Sequence, residues 1–142
     1  MLTIKQRKKE QGLILVTSSL AQVRAYSDLD SLDRIEQIKQ SWPGPNTWLL
    51  PVDKTVSSWL RGTHSTLAMR LSSHDVCQAL CETFDHAIVS TSANRHGQAA
   101  LIDYESVLRE FDQDLDYVIN AKVGGEQTAS AIRHALTGEQ LR

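Results

Sequence analysis

The sequence has little of what marks several large classes of protein. Its two cysteines and three prolines among 142 residues are too few for a disulfide framework or a proline-rich chain. Cys77 and Cys81 lie four residues apart, which on a helix places both on one face. No apolar run is long enough to span a bilayer, and the basic N-terminus leads into no cleavable export signal. We therefore expect a cytoplasmic protein with no membrane segment, forming one domain over residues 1–142.

Signatures of covalent catalysis and of the common nucleotide and metal sites are also missing. The sequence has no GxSxG elbow, no GxxxxGK[ST] loop and no GxGxxG fingerprint. Its five histidines are scattered, without HExxH or CxxC spacing, so we expect no dedicated metal site. The net charge of −2 gives no field that draws the whole molecule onto nucleic acid, so any RNA contact must be local.

Short apolar runs alternate with helical patterns, which predicts an α/β or α+β domain with one mixed sheet. The predicted strands are 13–16, 47–50, 66–71, 87–89 and 117–119. Helices are predicted at 31–40, with Ser31 as the cap, and at 74–84. A further helix is predicted to begin at its cap Asp103 and to end at residue 111, and residues 57–62 could form one short helical turn. Residues 42–45 are predicted to form a rigid turn, and Gly124-Gly125 is predicted to open a loop. Residues 130–138 could form either a helix or a strand.

Four places in the chain could carry chemistry. Lys5 and Arg7 could clamp a polyphosphate, although an exposed basic surface explains them more simply. The polar turn 90–94 follows a predicted strand and could bind anionic oxygens, or it is only a turn. Arg70 lies in a predicted buried strand, so it needs either a carboxylate or a ligand cavity. Thr47 follows a Pro-Gly-Pro turn that could form a rigid wall of such a cavity, or a plain structural turn.

A series of short segments, taken in order, resembles the YrdC-like family of threonylcarbamoyl-AMP synthases. The segments are KQR (5–7), GLIL (12–15), WPGPNT (42–47), LAMR (67–70), STSAN (90–94), SAIR (130–133) and LTGEQLR (136–142). The resemblance implies a twisted open mixed sheet with helices around a large concave basic cavity. It also implies an enzyme that makes L-threonylcarbamoyl-AMP and pyrophosphate from L-threonine, bicarbonate and ATP, for the modification of adenosine 37 in tRNA.

The resemblance implies roles for individual residues. The catalytic cations near the triphosphate of ATP would be Lys5 and Arg7. The other ATP-binding residues would be Thr47, Arg70, Ser92 and Asn94, and the threonine-binding residues would be Ala68 and Ser92. Such a reaction needs no protein nucleophile, so positioning and charge stabilisation suffice. Mg²⁺ is expected to accompany ATP, and the expected partners are tRNA or double-stranded RNA and other proteins of threonylcarbamoyl transfer.

The resemblance also predicts an N-terminally incomplete member of the family. Family members begin with a strand and a PT(D/E)xxYG-type loop, whereas this sequence starts almost at KQR. A missing strand would expose a sheet edge and an apolar face, so we expect reduced stability, dimerisation or aggregation. Two alternatives stay open: a non-catalytic module that binds tRNA or double-stranded RNA in the same basic cavity, and a relative of the carbamoyl-transferring domain of hydrogenase maturation proteins.

Overall fold

The computed structural model describes residues 1–124 and 129–142. The chain divides into two compact units: a smaller one of Met1–Lys8 with Thr91–Gly125, and a larger one of Lys9–Ser90 with Glu126–Arg142. Gly125, the second residue of the predicted Gly124-Gly125 loop, lies outside the described residues. One domain over residues 1–142 therefore stays a prediction.

The larger unit is built on a five-stranded mixed sheet. Its strands are β1 (Ile14–Thr17), β2 (Asn46–Pro51), β3 (Thr66–Leu71), β4 (Ile88–Ser90) and β5 (Ala131–His134), in the spatial order β4-β1-β3-β2-β5. The central strand β3 runs parallel to β1 and antiparallel to β2. At the edges, β4 pairs with β1 in antiparallel and β5 pairs with β2 in parallel. The predicted α/β class with one mixed sheet is confirmed.

One face of this sheet carries the hydrophobic core. The strand residues most buried in this core, none more than 1% exposed, include Leu15, Trp48, Leu50, Leu67 and Met69. Along β3 these buried residues alternate with partly buried ones. Because successive side chains of a strand point to opposite faces, Ala68 and Arg70 lie on the face away from this core.

Four helices belong to the larger unit: α1 (Leu20–Arg24), α2 (Ile35–Gln40), α3 (Ser58–Arg61) and α4 (Asp75–Phe84). Helix α1 was not predicted, and it begins at Ser19, whose hydroxyl accepts a hydrogen bond from the Gln22 N–H. Val23 of α1 and Ile38 of α2 are fully buried in the core cluster. Among the residues that the structure describes, no helix combines the length and the apolar character needed to cross a membrane.

Helix α5 (Tyr104–Phe111) is the helix of the smaller unit. It begins at Asp103, whose carboxylate accepts a hydrogen bond from the Ser106 N–H at 2.8 Å, so the predicted cap is confirmed. This hydrogen bond lowers the pKa of Asp103 below its ordinary value. Phe111, in the last turn, is 4% exposed.

The predicted start of the helix at 31–40 is wrong. Ser31 ends a separate 3₁₀ turn, and its hydroxyl donates to the Asp28 carbonyl oxygen at 2.8 Å. This local hydrogen bond holds Ser31 in the turn that precedes the helix. Helix α2 therefore begins only at Ile35.

The predicted strand at 117–119 is also wrong, since the structure assigns no strand there. Tyr117 is 81% exposed, and no strand of the described chain pairs with this segment. A short apolar run forms a strand only where a neighbour completes the hydrogen-bond ladder. The C-terminal segment, for which helix and strand were both open, contains β5.

Candidate functional site

Lys5 and the SxN turn meet in the smaller unit. The Lys5 ammonium donates to the Ser92 carbonyl oxygen at 3.0 Å and to Asn94 Oδ1 at 2.5 Å, and it also donates to the Asn94 carbonyl oxygen. Lys5 and Ser92 are 87 residues apart in the sequence. The structure thus brings together the KxR and SxN segments, whose combination carried the resemblance.

The two side chains of the SxN turn are held to each other. Ser92 Oγ donates to Asn94 Oδ1 at 2.6 Å, and Asn94 Nδ2 donates to the Gln98 carbonyl oxygen at 2.6 Å. Asn94 Oδ1 therefore accepts from both Ser92 and Lys5. Each polar group of Asn94 has a partner, so the turn presents its groups in one arrangement.

The two cations of the KxR segment differ in their surroundings. Burial, followed by the positive charge of Arg7, lowers the pKa of Lys5, while three oxygen acceptors hold its protonated form. Arg7 Nε is buried and has no hydrogen-bond partner within residues 1–124 and 129–142. A buried donor without an acceptor is costly, so the Arg7 guanidinium would be stabilised by an oxygen acceptor that reaches it.

Arg95, the residue after Asn94, fastens the turn to the end of α5. Its Nε donates to Glu110 Oε1 at 2.6 Å, and its Nη2 donates to the Glu110 carbonyl oxygen at 3.0 Å and to Asp114 Oδ2 at 2.8 Å. The guanidinium also lies 5.1 Å from the centroid of the Phe111 ring. Sequence reasoning did not identify this anchor, because none of these partners follows a recognisable motif.

A cavity of about 360 Å³ adjoins Lys5 and Ser92 in the smaller unit. Its apolar walls come from Met1, Ile4, Ala93, Val107, Phe111 and Leu115, and its polar lining from Lys5, Thr91, Ser92, Asp114 and Asp116. A mostly apolar pocket of this size with a few polar groups can hold a small ligand.

Arg70 lies in the larger unit, on the sheet face away from the core. Its Nε donates to the Gly44 carbonyl oxygen at 2.9 Å, and the Gly44 N–H donates to the Leu71 carbonyl oxygen at 3.0 Å. The Pro-Gly-Pro turn is therefore fastened to β3 by two hydrogen bonds. From the sequence, we expect Arg70 either to pair with a carboxylate or to face a ligand cavity. None of the salt bridges within the described chain involves Arg70, so pairing with a carboxylate is not observed.

Thr47 is fully buried beside the same strand. The antiparallel register that pairs Trp48 with Met69 sets Thr47 opposite Arg70. The Thr47 hydroxyl lies 2.8 Å from Ser130 Oγ, so it contacts Ser130 rather than solvent. Ser130 begins the SAIR segment, but sequence reasoning gave it no role. The predicted threonine-binding residue Ala68 is partly buried, two residues before Arg70 on the same face.

The predicted site residues thus form two groups. In the smaller unit, Lys5, Ser92 and Asn94 are joined directly by hydrogen bonds. In the larger unit, Thr47 and Arg70 lie on neighbouring strands, with Ala68 close by on β3.

Comparison with known proteins gives a family match over the whole chain. The model of the Sua5/YciO/YrdC family, described as "Telomere recombination", matches residues 1–142. The threonylcarbamoyl-AMP synthase of Vibrio cholerae is 39% identical over 144 residues, an alignment that covers 100% of this chain and 77% of that protein.

Solved structures have the same fold. Sua5 of P. abyssi, in a doubly substituted form, superimposes with a TM-score of 0.89 at 24% identity, covering 99% of this chain and 44% of that protein. The complex of P. abyssi Sua5 with L-threonine gives a TM-score of 0.84 at 24% identity, covering 94% and 39%. The chain therefore spans less than half the length of these solved structures.

Proposed function

The chain belongs to the Sua5/YciO/YrdC family, and from this premise we propose that it is an L-threonylcarbamoyladenylate synthase. The reaction joins L-threonine, bicarbonate and ATP into threonylcarbamoyl-AMP and releases pyrophosphate and water. The product serves the threonylcarbamoyl modification of adenosine 37 in tRNA, through other proteins that transfer the group. The observation that carries the proposal is the direct contact of Lys5 with Ser92 and Asn94.

The cations serve the phosphoryl transfer. An oxygen of the threonine carbamate attacks the α-phosphorus of ATP, the bond to the β-phosphate oxygen breaks, and pyrophosphate leaves with the extra negative charge. Arg7 supplies positive charge to the triphosphate, and an oxygen of ATP would give its Nε the partner that it lacks within the described residues. Lys5 holds the SxN turn in place and adds positive charge beside it. Ser92 and Asn94 present the polar groups that position the substrates.

Three residues of the larger unit are also proposed to contact the substrates. Arg70 uses its Nε on Gly44, which leaves its two Nη groups as donors for nucleotide oxygens. Thr47 acts on the nucleotide through Ser130, because its own hydroxyl is buried against that residue. Ala68 provides a small side chain for the contact with L-threonine.

Mg²⁺ is proposed to arrive with ATP rather than in a protein cage. Within the described residues no group of three or more His, Cys, Asp or Glu side chains could hold a metal ion. Asp114, an acid of the Lys5 cavity, is already paired with Arg95. Phosphate oxygens and water therefore supply the ligands of Mg²⁺, which neutralises part of the triphosphate charge.

The experiment is pyrophosphate release by the purified chain with ATP, omitting L-threonine or bicarbonate in turn. Release should require both. Arg7→Ala should lower kcat/KM roughly a hundredfold, because it removes a donor to the transferring phosphate. The neighbouring exposed cation provides the control, so Lys8→Ala should stay within about twofold of the wild type. A folded chain that binds no ATP would contradict the proposal.

The same variants distinguish a synthase from the alternative of a non-catalytic RNA-binding module. If Lys5 and Arg7 contact RNA phosphates, RNA affinity falls steeply with salt. The affinity is then lost in the double variant in which both residues become alanine. The family match and the identity to a threonylcarbamoyl-AMP synthase favour the enzyme.

A further inference from the structure

Trp59 is an exposed tryptophan in the larger unit. Trp42 and Trp48 are 7% and 0% exposed, whereas Trp59 is 58% exposed. It lies in α3 and is not part of the core cluster. The Lys9 ammonium lies over its ring, 4.1 Å from the centroid. The surface thus presents a broad aromatic ring with a cation on it that the core does not require.

The backbone that carries this pair is firmly held. The Thr63 N–H donates to the Glu10 carbonyl oxygen at 3.2 Å, which joins the segment of Lys9 to the segment of Trp59. Gly62 has φ +64°, and a Cβ at this position would lie only 2.2 Å from the Glu10 carbonyl oxygen. The two segments are therefore in close backbone contact, and a ligand on the ring orders little additional chain.

The surroundings of Trp59 favour a polar, anionic partner. Its neighbours Ser57 and Ser58 are exposed and polar, so the ring is not the centre of an apolar patch for another protein. In the segments 9–12 and 53–64 the cations outnumber the acids, although the whole chain has a net charge of −2; they are Lys9, Lys54 and Arg61 against Glu10 and Asp53. The Lys9 ammonium covers one face of the ring, so a nucleobase would stack on the other face, with its phosphate near the ammonium.

We propose that Trp59 and Lys9 form a binding site for single-stranded RNA, with a nucleobase stacked on the indole and a phosphate beside the ammonium. Duplex RNA does not fit this site, because its bases are stacked within the helix and cannot lie on a side chain. The site shares no residue with those assigned to ATP and threonine, so it goes beyond the synthase activity and does not depend on it.

The test measures binding of the full chain to a labelled RNA stem-loop with a seven-nucleotide single-stranded loop, by fluorescence anisotropy over a range of salt. Trp59→Ala should weaken binding by about fivefold or more, the loss of one stacked base. Lys9→Ala should weaken it less and reduce the salt slope by about one. Because Trp59 is the exposed indole, RNA should quench the emission of the wild type, and Trp59→Phe should lose this quenching.

Phe84→Ala is the matched aromatic control, since Phe84 is 64% exposed at the end of α4 and its ring contact is with His86. Lys39→Ala is the matched control for Lys9, and both controls should keep the wild-type affinity. Unchanged affinity in Trp59→Ala would overturn the proposal, as would an equal loss in Phe84→Ala. Equally tight binding of a loop-free duplex that is lost in Trp59→Ala would also overturn it. Pyrophosphate release by the same variants separates this proposal from the synthase, because Trp59→Ala should keep that activity.

Discussion

The hydrogen bond between Thr47 and Ser130 predicts that removing either hydroxyl destabilises the protein, by unequal amounts. The two Oγ atoms are 2.8 Å apart, Thr47 is fully buried and Ser130 is partly buried. Ser130→Ala leaves a buried hydroxyl without its partner, which costs about 1–3 kcal/mol. Thr47→Val leaves the Ser130 hydroxyl where water can reach it, so its cost should be about 1 kcal/mol or less.

Urea denaturation of the two single variants and the double variant measures these costs as free energies of unfolding. The double variant leaves neither hydroxyl unsatisfied, so it should be less destabilised than the sum of the singles, with a coupling of about 1 kcal/mol. A difference of 1 kcal/mol corresponds to roughly 3–4 °C in Tm for a chain of this size. Thr66→Val on β3 is the control, since the Thr66 hydroxyl makes no hydrogen bond within the described residues.

Two results would refute this reasoning. The first is additivity of the two substitutions within about 0.3 kcal/mol, which would mean that the hydroxyls do not interact. The second is a larger cost for Thr47→Val than for Ser130→Ala, which would mean that the buried oxygen of Thr47 finds another partner.

Three further predictions concern turns and caps. Gly62→Ala and Gly97→Ala both place a side chain at positive φ, which should lower the free energy of unfolding by about 1–2 kcal/mol. In urea denaturation Gly62→Ala should cost more, because its Cβ would lie 2.2 Å from the Glu10 carbonyl oxygen, whereas nothing lies within 4 Å at Gly97. Arg95→Ala should raise the KM for ATP roughly tenfold, because the SxN turn loses its anchor, and Arg95→Lys should raise it less. A lower kcat in both variants with an unchanged KM would contradict this. The lowered pKa of Asp103 means that its cap stabilises α5 above the ordinary carboxyl pKa and that this contribution is lost as pH falls through the lowered value. The urea midpoint of Asp103→Asn, which keeps a neutral cap, should therefore fall less between pH 7 and pH 3 than that of the wild type.

The sequence pattern predicted the bounds of an element correctly where the element depends only on its own residues and on one neighbouring element. Strand β3 has the predicted bounds, Thr66–Leu71, because its alternating apolar residues all pack on the core. Helix α5 likewise begins at its predicted cap, since Asp103 satisfies a free N–H of the first turn.

Local patterns failed where the outcome depends on distant residues. The segment 117–119 is a short apolar run like that of a buried strand, but the described chain provides it no ladder partner. Helix α1 was missed because Leu20–Arg24 is only five residues long, too short for a clear period.

The candidate site shows the same division. The combination of KxR with SxN was recognised only through family resemblance, and the contact of Lys5 with Ser92 and Asn94 agrees with it. The sequence could not indicate that backbone oxygens occupy the Lys5 ammonium, that Ser130 covers Thr47, or that Glu110 and Asp114 anchor Arg95. These contacts join residues whose spacing has no regular period.

The pairing of β2 with β5 sets a delay during protein synthesis. Thr47 and Ser130, which meet across these strands, are separated by 83 residues. At roughly 5–20 residues per second, the ribosome needs about 4–17 s to make the chain between them. During that interval one side of β2 lacks its neighbour, so the nascent chain exposes unpaired amide and carbonyl groups that chaperones or neighbouring polypeptides can engage.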